Sequence, residues 1–357
     1  MTQTGPREAA FPAALVPVSR GVEDRIDTLL DAELARWRPV DATLAEPIET
    51  LRDFVAGGGK RLRPAFCYCA FVGAGGDPDD PAVVDAAAAL ELIHTFALVH
   101  DDVMDGSDMR RGGDSVHRHF GRRHLAAAWR GEPRRFGEGM AILVGDFALV
   151  YADTLMRGAS PNALAVYDEL RIELCVGQSL DLVGTALATT DTEVAYRIAV
   201  YKSGKYTVER PMHLGAALAD RLGALAPSLS AIGLPLGQAF QLRDDLLGAF
   251  GDAATTGKPV GDDLREGKAT PLVALAAARA RAADRPLLAR LGAADLGLAE
   301  INALRELFVR CGAVDEIEAE IARLVGVARD VLNTAPLTGD ARDWLDDLAG
   351  YVAWRDR

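Results

Sequence analysis

The chain has 357 residues, with 39 basic against 52 acidic side chains and a formal net charge of −13, which disfavours a surface built to hold nucleic acid. No run of 18 uninterrupted apolar residues occurs, and the first residues lack a basic segment followed by an apolar one; no membrane span is expected, and a cytoplasmic location is the simplest expectation. Aromatic residues make up only 6%, and alanine and leucine dominate, so strand signals are nearly absent.

Helical periodicity recurs over residues 22–37, 41–56, 61–73, 81–104, 115–128, 138–157, 161–186, 191–202, 205–222, 226–250, 270–282, 298–310, 313–334 and 340–354. Residues 1–20, with Pro6, Pro12 and Pro17, have the character of a loose arm. Residues 21–357 then form one all-α domain, because no linker breaks the apolar segments. Arg130 to Gly137 is expected as a surface loop whose charges stay out of any site. The amphipathic stretch Asp315–Leu332 should pack the end of a bundle. Cys67, Cys69, Cys175 and Cys311 show no zinc spacing and are expected to be small buried apolar side chains.

Two acidic clusters stand out against this helical background. His100-Asp101-Asp102-Val103-Met104-Asp105 and Gln241-Leu242-Arg243-Asp244-Asp245 each sit at the end of a long apolar segment, about 140 residues apart. Asp101 and Asp105 share a helical face, as do Gln241, Asp244 and Asp245. Carboxylates crowded in this way repel unless a cation lies between them. Oxygen donors without a cage suit Mg²⁺, which takes one or two carboxylates and completes its shell with water and substrate phosphates. A solvated helix end would explain either cluster alone; apolar flanks around both make that account poorer.

Basic residues accompany them. Gly57-Gly58-Gly59-Lys60-Arg61-Leu62-Arg63-Pro64 is a glycine run followed by cations that could cradle a phosphate. Arg110-Arg111-Gly112 follows the first acidic cluster, Lys202-Ser203-Gly204-Lys205 interrupts a helical pattern, and Gly257-Lys258-Pro259 through Gly267-Lys268 follows the second cluster.

In this order and spacing, from about residue 45 to about residue 275, the chain resembles the trans-isoprenyl diphosphate synthases, the polyprenyl synthetase family. The family's GGKRxRP, DDxxD…RRG, GQxxDL, KT(S)G, FQxxDD and KPxGxDxxxGK elements are all present. The resemblance implies a single-domain isoprenoid-synthase helical bundle with a central cavity. It also implies an activity: head-to-tail condensation of isopentenyl diphosphate with an allylic diphosphate. Asp101, Asp102 and Asp105 match the first metal motif, and Asp244 with Asp245 the second. The implied cofactor is Mg²⁺, three ions per site with substrate bound, with Mn²⁺ able to substitute. Arg110, Lys202, Ser203, Gln241, Lys258 and Lys268 would meet the allylic diphosphate. Lys60, Arg63, His94 and Arg111 would hold isopentenyl diphosphate; a lone histidine is more often a core residue, and the motif context gives His94 this role. Of these, Asp101, Asp102, Arg110, Lys202, Gln241 and Asp244 would bear most directly on catalysis. Gln178 and Asp181 would sit beside the metals or the cation. The implied partner is a second copy of the chain, as a homodimer.

Two positions depart from the family. Gly248 stands where the second motif usually has its third aspartate, and the change is expected to be a tolerated loss; Asp252 could substitute only if the helix unwinds. Ser203 replaces the commoner threonine and keeps the hydroxyl. For product length the informative positions are Ala97 and Phe96, four and five residues before Asp101. A small Ala97 over a bulky Phe96 resembles enzymes that stop at geranylgeranyl diphosphate (C20), with farnesyl (C15) or longer products as alternatives. A class I terpene cyclase would have no use for Lys60 and Arg63. A non-catalytic partner subunit generally lacks one aspartate motif.

Overall fold

Local signals at both ends of α4 (Pro81–Asp105) put the first acidic cluster where it can work. The Asp80 side chain accepts the Ala82 N–H at 2.9 Å, Pro81 opens the helix, and Gly106, at φ 69°, stops it directly after Asp105. Asp101, Asp102 and Asp105 therefore form the last turn. This is a computed structural model, and it describes residues 10–251, 261–293 and 295–355.

The remaining helices enclose α4 in an all-α bundle. α1 (Val16–Trp37) and α2 (Ala45–Ala56) lead through the glycine run into α3 (Leu62–Gly73). α5 (Val116–Ala126), α6 (Pro133–Met156), α7 (Pro161–Ala186) and α8 (Thr192–Ala199) follow α4. A π-helical segment (Val200–Glu209) joins α8 to α9 (Arg210–Leu218), and α10 (Leu222–Phe250) ends near the cavity. The chain closes with α11 (Asp262–Glu266), α12 (Pro271–Arg279), α13 (Arg285–Leu288), α14 (Leu298–Arg310), α15 (Ala313–Leu332) and α16 (Gly339–Trp354).

Two apolar cores result. One joins α1, α2, α4, α6 and α7 through Ile26, Ile48, Leu90, Val144 and Leu170. The other joins α3, α9, α10 and the C-terminal helices through Phe66, Met212, Leu236, Leu307 and Ile321. As expected, α15 packs the end of the bundle with Ile317, Ile321, Leu324 and Leu332.

Several boundaries differ from the sequence expectation. The arm is helical from Ala13, with Leu15 fully buried and Phe11 edge-on to Tyr351, because its apolar residues find a place on the second core. The loop expected over 130–137 is half helix: Pro133 opens α6 at its first turn, where a missing N–H costs nothing. Helix does not stop at Lys202–Lys205 but widens there into the π segment. One two-stranded hairpin pairs Met109–Arg110 with Gly113–Asp114, turned by Arg111 (φ 53°) and Gly112 (φ 79°). Cys67 and Cys69 are buried, and burial pushes the Cys67 thiol up to about 12. Cys175, by contrast, is exposed on α7, so not all four cysteines are core residues.

By length and composition alone, α4 and α6 are apolar enough to cross a membrane, which a test for unbroken apolar runs overlooks. In α4, 61% of the apolar window is buried within the bundle. α6 leaves Ile142, Leu143 and Val150 exposed.

Candidate active site

A cavity of about 420 Å³ lies between the two cores. Its walls bring together Arg63, His94, Asp101, Arg110, Gln178, Asp181, Lys202, Ser203, Gln241, Asp244, Asp245 and Lys268, from seven separate segments of the chain. Each wall carries a carboxylate cluster at the C-terminal end of a helix, the negative end of its dipole. Such a placement demands cations, and the structure supplies them.

On the first wall Asp101 is the hub. Gln178 Nε2 donates to its Oδ1 at 3.0 Å and Lys202 Nζ donates to the same atom at 3.2 Å. Arg110 Nη2 lies 3.4 Å from its Oδ2. Asp102 is fully buried and does not line the cavity itself; it accepts Arg110 Nε at 2.9 Å. Asp105 stands 3.1 Å from Lys268 Nζ, which also meets Glu266 at 2.7 Å. Burial works against the Lys268 charge, but Asp263, Glu266 and Asp105 hold the ammonium well above its ordinary value. Lys202 contacts Asp181 as well, so Gln178 and Asp181 both belong to this wall.

On the second wall Gln241 Nε2 donates to Asp245 Oδ1 at 2.7 Å. Asp245 is 4% exposed, and its Oδ2 has no hydrogen-bond partner among the described residues. Burial pushes its carboxyl well above the usual range, with Asp263 and Asp244 adding to the effect and Gln241 opposing it. Asp244 is gripped by Arg355 from beyond α16, whose guanidinium lies over the Phe240 ring, 4.1 Å from its centroid.

A third cluster lies beside the first wall. Arg63, 7% exposed, donates through Nη2 to Thr207 Oγ1 at 2.8 Å, lies over the Tyr206 ring at 4.0 Å, and has a buried Nε without a partner among the described residues. His94 Nδ1 meets Tyr206 Oη at 2.7 Å. Burial, and then Arg63, Arg111 and Arg110, keep the His94 ring neutral well below its ordinary pKa. Arg111 donates to Phe54 O at 2.9 Å, and Lys60 Nζ lies over the Tyr351 ring at 4.6 Å; neither lines the cavity. Lys258 falls outside the described residues. Of the product-length positions, Ala97 lines the cavity; Phe96 does not, and its ring lies edge-on to His100 with centroids 4.7 Å apart.

Three participants went unassigned in the sequence. Arg61, with φ 49°, is buried beneath the glycine run and donates to Glu91 Oε1 at 2.5 Å, Glu23 Oε1 at 3.0 Å and Val55 O at 2.8 Å. It anchors the loop that carries Lys60 and Arg63. Its signal was its place between those two cations. Asp263 stands in a recognised motif without a role, and Arg355 has no sequence signal at all.

The donors fit a hard divalent cation. A buried carboxylate oxygen without a partner faces a cavity lined by further carboxylates. Among the described residues no three His, Cys, Asp or Glu side chains gather into a ready cage. That suits an ion whose shell is completed by water and phosphate.

Residues 44–307 match the model of the polyprenyl synthetase family. A short chain isoprenyl diphosphate synthase of Methanothermobacter thermautotrophicus is 34% identical over 322 residues, covering 88% of this chain and 92% of that protein. A (2E,6E)-farnesyl diphosphate synthase of Mycobacterium tuberculosis is 32% identical over 350 residues, covering 96% and 90%. A geranylgeranyl pyrophosphate synthase of Corynebacterium glutamicum, solved in complex with isoprenyl diphosphate and magnesium, superimposes with a TM-score of 0.91 at 37% identity, covering 96% of this chain and 99% of that one. With its motifs gathered around one cavity and these likenesses along its length, the chain belongs to the polyprenyl synthetase family of trans-prenyl diphosphate synthases.

Proposed function

We propose that this enzyme condenses isopentenyl diphosphate with an allylic diphosphate in a Mg²⁺-dependent reaction whose main product is geranylgeranyl diphosphate. The observation that carries the reading is the pair of carboxylate-bearing helix ends facing one cavity, with the Arg63–His94 cluster beside them. Mg²⁺ bound between the two walls would supply positive charge to the allylic leaving group. Asp101, Asp105, Asp244 and Asp245 would hold it, while Asp102 fixes Arg110 in place.

Arg110, Lys202 and Lys268 now neutralise Asp101, Asp102 and Asp105. With metal charge to balance those carboxylates, Arg110, Lys202 and Lys268 would be free to face the allylic diphosphate. Ser203 and Gln241 add neutral hydrogen bonds. The C1–O bond breaks, and the diphosphate leaves with the bonding electrons. Arg63, His94, Arg111 and Lys60 hold isopentenyl diphosphate so that its double bond attacks C1; such positioning is worth about 7–11 kcal/mol. A proton then leaves the new tertiary cation to the released diphosphate, so no protein base is needed. The apolar surfaces of Ala97, Leu98 and Leu174 keep water from the cation.

Ala97 leaves the cavity open below Asp101, and the similarity to the corynebacterial synthase supports a C20 product. The test is incubation with isopentenyl diphosphate and dimethylallyl, geranyl or farnesyl diphosphate, with and without Mg²⁺. Linear C20 product from all three primers supports the proposal. Products ending at C15 or running beyond C20 replace the length assignment; cyclic hydrocarbons or no turnover defeat the synthase reading.

The homodimer is part of the proposal. Ile172, Val176 and Val183 of α7, with Leu187 directly after it, fall on one exposed stripe, and Ile142, Leu143 and Val150 of α6 are exposed as well. A patch of this kind is a cost on a monomer. Sedimentation should show a dimer, and Val176→Arg should shift it to monomer; a monomeric wild type would refute this part.

A further inference from the structure

Residues 115–136 carry six arginines against one acidic side chain, Glu132, a local charge of +5 within a chain of −13. On α5 the buried positions Val116, His117, Phe120 and His124 share one face, while Arg118, Arg122 and Leu125 recur at helical spacing on the other. The start of α6 joins the same corner because glycines let the two backbones touch. A Cβ added at Gly137 would run into His117 O, and one at Gly121 would press on Pro133 O. Arg130, Arg134 and Arg135 are exposed there. Arg118, Arg122 and Arg134 each meet one carboxylate, whereas Arg130 and Arg135 meet none among the described residues. Between the two helices an apolar crest stands in solvent, with Leu125 65% and Trp129 43% exposed. The crest is a built feature. His124 Nε2 donates to Arg130 O at 3.1 Å, the Trp129 ring lies edge-on to Phe136 with centroids 5.3 Å apart, and Arg123 lies over it at 5.2 Å.

We propose that this corner docks the enzyme on a membrane surface of anionic lipid, with Leu125 and Trp129 entering the headgroup region and the surrounding arginines meeting lipid phosphates. Charge complementarity carries the choice of partner. A chain of net charge −13 is repelled by an anionic bilayer except where it presents local positive charge. An apolar tip ringed by arginines has the composition of interfacial helices, whose aromatic residues sit at headgroup level. Duplex nucleic acid would use the arginines but offer the exposed leucine nothing. The position of the corner agrees with this partner. Arg118 Nε stands 3.1 Å from Asp108, three residues past the last aspartate of α4, and Arg122 stands 2.7 Å from Asp114 of the hairpin. The corner therefore adjoins the end of the cavity where the diphosphates are proposed to lie. A prenyl diphosphate is an anionic amphiphile, so an enzyme docked here releases its product beside the phase that takes up the tail. None of these arginines lines the cavity, which keeps docking separate from the chemistry.

Co-sedimentation with vesicles tests this on the full chain without substrate or Mg²⁺, so its outcome is independent of the synthase reading. The protein should bind vesicles of mixed phosphatidylglycerol and phosphatidylcholine but not phosphatidylcholine alone, and binding should fall as NaCl is raised. Arg130→Glu/Arg135→Glu should weaken that binding about tenfold or more, with Tm and turnover in free solution unchanged. Brominated lipid should quench the tryptophan fluorescence of the wild type. Trp129→Phe keeps an aromatic ring against Phe136 and should remove most of that quenching. The inference is overturned by equal binding to both kinds of vesicle, by no binding, or by undiminished binding of the arginine variant. Tighter binding to duplex DNA than to vesicles at the same salt, lost in that variant, would give the patch to nucleic acid and overturn it too. If Leu125→Ser/Trp129→Ser converts a dimer to monomers, the crest is a contact between copies and the membrane role fails.

Discussion

Asp245 shows what the site costs the protein before any ligand arrives. Its folded carboxyl is raised above the unfolded value of about 3.9. The ionised form therefore opposes folding at every pH above that value, and the cost disappears only in acid. Asp245→Asn should stabilise the metal-free protein at neutral pH, because it removes the charge that burial penalises. The same change should abolish the rise in Tm that Mg²⁺ and diphosphate give the wild type. A lower Tm with the ligand response intact would contradict this account. Arg63 differs from Lys60 in the same way, by what its atoms touch. Arg63→Ala removes a charged group with an unpartnered Nε in the cavity wall, and should raise KM for isopentenyl diphosphate by roughly ten- to a hundredfold, as charged hydrogen bonds of 1.5–3 kcal/mol imply. Lys60→Ala should cost less, because Lys60 does not line the cavity. Neither should change KM for the allylic substrate; equal losses for both substrates would sink the division of the two diphosphate sites.

At the scale of elements, the walls are held together by glycines where backbones touch. A Cβ at Gly177 would lie 2.4 Å from the Lys202 backbone, and one at Gly237 would lie 2.4 Å from Gly204 O. α7, the π segment and α10 can approach only because those positions lack side chains. Lys202, Ser203 and Tyr206 of the π segment all line the cavity. Gly237→Ala should destabilise the protein by about 1–3 kcal/mol, the usual cost of overpacking, and lower turnover as the π segment shifts. A normal Tm with full activity would show that the contact yields freely. The helices were legible in the sequence because apolar spacing and caps such as Asp80 and Gly106 are local signals. The π segment was not, since one extra residue disturbs the spacing without breaking it, and Lys202-Ser203-Gly204-Lys205 then resembles an interruption. The hairpin at Arg110–Gly113 is too short to show alternation. Asp101 and Asp244 were legible as candidates because motif and apolar flank coincide. Asp263 fills the space beside Gly248, a tertiary approach that no spacing encodes.

Across the whole molecule, three histidines resist protonation in the fold and should govern its acid sensitivity. Burial lowers the folded pKa of His94, His117 and His213 below the ordinary value of 6.5. Each stays neutral in the fold but takes up a proton on unfolding, so stability is complete above about pH 6.5 and declines as the pH falls through the lowered folded values. Denaturant unfolding from pH 8 down to pH 5 should show this decline, and His94→Gln should reduce its slope by up to one proton; an unchanged slope would place the acid sensitivity elsewhere.

The glycine spacers also divide the cavity into parts that can and cannot change. Ala97, Leu98 and Leu174 line the space where a product tail would lie, and exchanges among apolar side chains there should alter its depth. Ala97→Phe should accordingly shorten the products, read by chromatography of the chains; unaltered lengths would place the limit elsewhere. Gly177, Gly204 and Gly237 meet backbone, so a side chain at any of them moves the phosphate-binding wall itself. Variation can therefore accumulate in the choice of product while the chemistry of the leaving group stays fixed. On this reading, chain length can change one side chain at a time while the backbone contacts at the glycines are kept.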